Sequence, residues 1–95
     1  MQFVFTKTFI KQCKNFEHQK QRVLFIATVI EDFQNNIFQS KYYRKKLQWY
    51  DDIHELEVWG DIRIIIQVII KDDICYFLAI WSHSTLWLSG RNKKI

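Results

Sequence analysis

Apolar and polar positions change their period partway along the chain. Gln2 to Phe5 reads as a short strand, and Thr6 then stands where a helix N-cap belongs, with Phe5 and Ile10 at the spacing of a hydrophobic staple. Phe9, Cys13 and Phe16 follow at four- and three-residue intervals, the stripe of one helix face, while Lys7, Lys11 and Lys14 take the wet side. A second helix is predicted from about Gln19 to Phe33, with Val23, Ile26, Ala27, Ile30 and Phe33 facing inward. Asn35-Asn36 loosens its end. The chain has no proline, so helix ends rest on caps and polar residues.

From His54 the period is two. In HELEVWG, Leu56 and Val58 point one way, and Glu55, Glu57 and Trp59 the other; Gly60-Asp61 is a turn signal. The next strand, IRIIIQVII, puts Ile62, Ile64, Ile66, Val68 and Ile70 on one face and Arg63, Ile65, Gln67 and Ile69 on the other. Lys71-Asp72-Asp73 turns the chain, and ICYFLAIW returns antiparallel. The order predicts one α+β domain over residues 1–95. Two N-terminal helices cover one face of a small antiparallel sheet, made of a short N-terminal strand and a three-strand C-terminal meander whose central strand is 62–70. No repeat, linker or low-complexity tract interrupts it.

Composition narrows the class without naming a function. Ninety-five residues, 48% apolar and 25% charged, make one folded domain and exclude a disordered chain. Sixteen aromatic residues exceed what so small a core hides, so some are expected to line a groove or meet a partner. Cys13 and Cys75 lie on apolar faces with no CxxC spacing, as free thiols in a reducing compartment do. No charged leader precedes an apolar run, and runs such as Ile64-Ile65-Ile66 are too short to span a bilayer, which points to a cytoplasmic protein without membrane contact.

A net charge of +4 favours a polyanionic partner, and its distribution says more than its sum. Lys41, Arg44, Lys45 and Lys46 form a basic knot around Tyr42 and Tyr43, whereas the acids gather at Asp51-Asp52, Glu55, Glu57, Asp61 and Asp72-Asp73. The knot is suited to phosphate contacts, with Tyr42, Tyr43 or Trp49 as a stacking surface for a base; the alternative is a solvated helix end. His18 and His54 have no supporting constellation.

Two stretches carry a resemblance. The hairpin with Glu55, Leu56, Val58, Gly60, Asp61 and Arg63, and the terminal Ser82-His83 followed by Leu86-Trp87, together resemble the RelE/YafQ superfamily of bacterial type II toxins over most of the chain. The resemblance implies a ribosome-dependent mRNA endonuclease that needs no metal or other cofactor. It also implies a cognate antitoxin that inhibits the toxin and carries it into larger assemblies, and contacts with mRNA and ribosomal RNA. On that reading His83 takes the place of a catalytic histidine, Trp87 of an aromatic of the site, Arg63 of the arginine on the central strand, and Asp61 of the acid before it. Glu57 stands where relatives carry a basic residue or a histidine. A non-enzymatic member of the same fold, resembling the ParE toxins that bind DNA gyrase, is the alternative.

The chemistry fits these residue types. Attack by a 2′-hydroxyl on the adjacent phosphate needs a base, a fixed cation at the charged transition state and an acid for the 5′-oxygen. Histidine suits either proton transfer, and the planar arginine fork suits the phosphate. His83 is otherwise a strand-end residue bonded to Ser82 or Ser84, Arg63 the ion-pair partner of Glu57 or Asp61, and Trp87 a core anchor. Neither Arg63 nor His83 is assigned to the core, so truncation of either is expected to leave a folded chain. A two-residue turn at Asp72-Asp73 sets Arg63 opposite Ser82 and points Arg63 and His83 to opposite faces; an odd-length loop or a bulge brings them together. The antitoxin is expected on exposed aromatic surface, as a helix in a groove or an added strand.

Overall fold

The computed structural model describes residues 1–47, 50 and 52–82. In chain order these form β1 (Gln2–Phe5), α1 (Lys7–Cys13), α2 (Lys20–Asn36), β2 (Tyr43–Lys46), β3 (Ile53–Glu57), β4 (Ile62–Ile69) and β5 (Ile74–Ser82), with single 3₁₀ turns after α1, α2 and β4. The α+β expectation holds, with helices on one face and β4 in the middle of the sheet. The sheet is mixed rather than antiparallel, in the order β1-β5-β4-β3-β2. β1 inserts parallel to β5, Gln2 against Ile74 through Phe5 against Phe77.

Thr6 fastens this arrangement. Its Oγ1 accepts the Phe9 N–H at 3.1 Å, capping α1, and donates to the Phe77 carbonyl at 2.8 Å, tying the cap to β5. Where β1 ends, the Gln12 side chain takes over: its Oε1 accepts the Ile80 N–H at 2.8 Å. Phe5 turns onto Phe77 and Phe9, and the staple partner expected for it, Ile10, is left half in solvent. α2 runs on to Asn36, whose side chain donates to the Asp32 carbonyl. Its buried stripe is Ile26, Val29 and Phe33; Val23 and Ala27, expected inside, are exposed. Apolar residues surround this helix, so periodicity left its rotation open, and the sheet decided it.

The core lies between that stripe and the sheet: Leu56 on β3, Ile64, Ile66 and Val68 on β4, and Cys75, Phe77 and Ile80 on β5. Phe77 gathers the rings of Phe3, Phe5, Phe9 and Phe33. Trp59, expected on the face of Glu55 and Glu57, lies past the end of β3 and packs toward the helices against Phe16 and Phe25.

The β4–β5 connection is not a two-residue turn. Ile70 leaves the strand for a 3₁₀ turn and Asp73 takes a left-handed φ of 54°, a conformation aspartate tolerates. A bulge follows: Ile66 pairs with Phe77 but Ile65 with Ala79, so Arg63 meets Trp81 and Ile62 meets Ser82. The bulge keeps both Phe77 and Ile80 in the core although they are three residues apart. No helix among the described residues is long and apolar enough to cross a membrane.

Candidate functional site on the open face of the sheet

Strand alternation places the polar residues. With Leu56, Ile64 and Ile66 facing the helices, Glu55, Glu57, Arg63, Ile65 and Gln67 face the opposite side, joined by Ala79 and Trp81. The basic knot contributes through β2, which is a strand and not the end of a helix. An irregularity between Tyr43 and Lys45 turns Arg44 onto this face, and Lys45 pairs with Glu55.

Glu55 is the hub. Only 1% exposed, it receives Arg63 Nε at 3.0 Å and Arg44 Nε at 3.4 Å on one carboxylate oxygen. Arg63 is itself buried, with Nη1 donating to the carbonyls of Gly60 at 2.9 Å and Ile62 at 3.2 Å. The expectation that Arg63 lies outside the core is therefore corrected, as is its partner: the ion pair is with Glu55, not Glu57 or Asp61. Register gives the reason. Glu57 is directly opposite Arg63 at the exposed end of β3, whereas Glu55 is the diagonal neighbour in the sheet interior, within reach of a long side chain. Glu57 instead holds the exposed Arg44, Nη1 to Oε1 at 3.2 Å.

Asp61 sits exposed in the β3–β4 turn, where Gly60 adopts a φ of +48° that favours glycine. Gln67 reaches Asp52 at 2.9 Å, and Trp81 Nε1 is buried with no acceptor among the described residues. His83, Trp87 and Trp49 lie outside the described residues, so their expected places carry over as proposals.

The basic knot is divided between two sides of the sheet. Tyr43 pairs with Leu56 and packs against the core on the helix side, so it is not a stacking surface beside Arg44. Its hydroxyl meets His54 Nδ1 at 3.0 Å, with the Phe38 ring against both. Burial pushes Tyr43 above the ordinary phenol range and, together with Lys46 alongside, pushes His54 below the ordinary imidazole range, outweighing the opposing pull of Asp52. His54, which had no evident role, is thus a buried member of a small aromatic cluster. Tyr42 turns inward onto Phe25, and the Lys41 ammonium lies 5.3 Å from the Tyr42 ring. Arg44 and Lys45 alone represent the knot on the open face.

Two features escaped sequence reasoning: the burial of Glu55 and the outward turn of Arg44. The first was readable in outline, since Glu55 alternates with Leu56 in a strand that must flank β4; the second depends on a bulge that no residue type announces. Cys13 and Cys75 are free thiols, as expected, pushed up by burial to about 11 and about 12. Among the described residues no group of His, Cys, Asp and Glu is placed to hold a metal ion.

No protein-family model matches the sequence, and no curated protein matches it. Solved structures do match its fold. The RelB-RelE antitoxin-toxin complex from Methanococcus jannaschii is similar at 28% identity and TM-score 0.67, over 88% of this chain and 94% of that one. The YoeB dimer from Staphylococcus aureus is similar at 14% identity and TM-score 0.71, over 87% and 97%. The DinJ-YafQ complex of E. coli is similar at 14% identity and TM-score 0.64, over 90% and 96%. At 14% the likeness is one of fold; the M. jannaschii complex adds a modest likeness of sequence.

Proposed function

This chain belongs by fold to the RelE/YafQ superfamily of toxins, and from that premise we propose that it is the toxin of a toxin–antitoxin pair, acting as an endoribonuclease on mRNA engaged by the ribosome. The observation that carries the reading is the likeness over nearly the whole chain to toxins, two of them solved in complex with an antitoxin. The open face supports it, because it sets Arg44, Arg63, Lys45, Glu55 and Glu57 side by side on rigid strands.

On this reading a base on the open face takes the proton of a 2′-hydroxyl. The oxygen attacks the adjacent phosphorus, and the 5′-oxygen leaves with a proton from an acid, so the upstream fragment ends in a 2′,3′-cyclic phosphate. His83 carries one of the two proton transfers. Histidine suits that role because its ordinary pKa lies near neutrality. The other transfer falls to a carboxylate of this face. Glu57 is the exposed one, whereas Glu55 is committed to two guanidinium groups.

Arg63 is fixed by Glu55 and two carbonyls through Nε and Nη1, and among the described residues Nη2 has no bond, so it serves a phosphate oxygen; Arg44, half-exposed, adds a second cation. Such fixed charge acts where negative charge develops, and one donor of this kind is worth roughly 10²–10³-fold in rate. Asp61, exposed at the rim, and Trp87, as a platform for a splayed nucleotide, complete the set. Lys41, Lys45 and Lys46 contact phosphates of mRNA or ribosomal RNA. Tyr43 supports them from behind through His54.

The test is primer extension on a message incubated with the chain, with and without translating ribosomes. Cuts within the reading frame that require ribosomes are expected. An uncut message, together with loss of DNA supercoiling by gyrase, would overturn the reading in favour of a gyrase-binding toxin.

A further inference from the structure

Strand β2 breaks the alternation of its own sequence. Tyr43 and Lys45 stand two residues apart and in a regular strand would share a face. Instead Tyr43 pairs with Leu56 and packs on the helix side, whereas Lys45 pairs with Glu55 on the open face. Tyr43 and Lys46, three residues apart, in turn share the helix side, where Lys46 stands opposite His54. Both mismatches have one cause, an extra residue, and Arg44 is that residue. A regular β2 would send Arg44 and Lys45 to opposite faces. The bulge lets both lie on the open face, where Arg44 reaches Glu55 at 3.4 Å and Glu57 at 3.2 Å.

What holds this register lies on the other side of the sheet. The Tyr43 hydroxyl is 3.0 Å from His54 Nδ1, and the Phe38 ring packs on both, its centroid 5.3 Å from Tyr43 and 4.8 Å from His54. Burial, and Lys46 after it, push His54 below the ordinary imidazole range against the pull of Asp52, so the ring is neutral near pH 7. Burial likewise keeps the Tyr43 hydroxyl protonated. With the ring proton on Nε2, Nδ1 accepts the Tyr43 O–H. Phe38 is delivered by a strained turn: Ile37 takes a φ of 47°, which a β-branched residue rarely adopts. Ser40 fastens that turn to α2, its Oγ donating to Asp32 Oδ2 at 2.6 Å and accepting the Tyr42 N–H at 3.2 Å. His54 therefore meets β2 twice, through its side chain at Tyr43 and through its strand position at Lys46. The two engagements fit only a strand with one extra residue between them.

We propose that Tyr43 and His54 are positioning residues of the open face: joined on the far side of the sheet, they fix the bulge that sets Arg44 and Lys45 together beside Glu55. The consequence for RNA rests on the endoribonuclease reading; the strand geometry does not.

The test uses the full chain near pH 7, where neither residue carries a charge. Nuclear Overhauser contacts across the strands report the register. The salt dependence of affinity for a 2′-O-methyl single strand, which cannot be cleaved by its own hydroxyl, counts the cations that meet phosphate. The unmodified chain shows Tyr43 against Leu56 together with Lys45 against Glu55. Tyr43→Thr and His54→Leu each lose one of these contacts while circular dichroism shows the fold kept. Their slope of log affinity against log salt falls by about 0.7, the single-strand value of one phosphate contact and the loss expected for Arg44→Ala. His54→Asn, whose Oδ1 stands where Nδ1 does along the side chain, restores contacts and slope. Both contacts kept in Tyr43→Thr and His54→Leu overturn the proposal, as does a slope unchanged when a contact is lost. A chain that binds no RNA counts against the endoribonuclease reading, and the strand contacts alone then decide this proposal.

Discussion

Arg63→Ala removes one end of an ion pair whose other end, Glu55, is 1% exposed. Breaking a buried pair by deleting one partner costs about 3–5 kcal/mol, because the remaining charge has lost its counter-ion in a site that water does not fill. Arg44 does not compensate, being 46% exposed, 3.4 Å from Glu55 and shared with Glu57. Its own deletion is expected to cost about 0–1 kcal/mol. A 95-residue domain has roughly 5–14 kcal/mol in all, so Arg63→Ala removes about a fifth of it or more and lowers Tm by about 12–40 °C. Glu55→Ala falls in the same range. The double replacement Glu55→Leu, Arg63→Met fills the space with apolar atoms and leaves no buried charge, so it costs far less than the two single losses together. Urea unfolding with a common slope measures all four chains. An Arg63→Ala protein within about 1 kcal/mol of the parent, or a double variant whose loss equals the sum of the singles, would refute the hub.

Three further outcomes follow from the same geometry. Cys75, fully buried with a thiol pushed up to about 12, stays unmodified by a thiol reagent in the native chain and reacts once urea unfolds it; Cys13 reacts slowly, at about 11. The lowered affinity of His54 for a proton makes the unfolded state the better base, so stability is full above the ordinary imidazole range near 6.5 and falls as pH drops through it toward the folded value; His54→Gln removes that dependence in urea midpoints between about pH 7.5 and 5. His83→Ala keeps the fold and loses on the order of 10²–10⁴-fold in cleavage rate together with a limb of the pH–rate profile near neutrality.

Local patterns in the sequence revealed the elements whose partners are close along the chain. Period-two alternation from His54 to Trp81 and the turn signals at Gly60 and Asp72-Asp73 were enough for β3, β4 and β5; a bulge in β4–β5 sets Arg63 against Trp81, while His83, whose face was in question, lies outside the described residues. β1 was expected in the sheet, but its parallel pairing with β5 escaped, because that pairing spans some seventy residues and no local period encodes it. β2 escaped because RKK is the composition of a charged edge strand, which a linear reading cannot distinguish from a solvated helix end. The open-face chemistry was partly legible. Arg63 stood out as a charge among isoleucines, but its diagonal partner Glu55 was passed over for Glu57, the residue directly opposite. Tyr43 and His54 were read singly, and only folding brings them to 3.0 Å on the far side of the sheet.

The claim on which the account rests is cleavage of message RNA by attack of its own 2′-hydroxyl. The direct test is a translated message in which the nucleotide preceding the mapped cut carries hydrogen in place of that hydroxyl. Cleavage is expected to disappear at that position alone, while neighbouring all-ribose codons in the same transcript are cut and end in 2′,3′-cyclic phosphates. Undiminished cleavage at the deoxy position, with a 3′-hydroxyl or an open 3′-phosphate on the fragment, would contradict it.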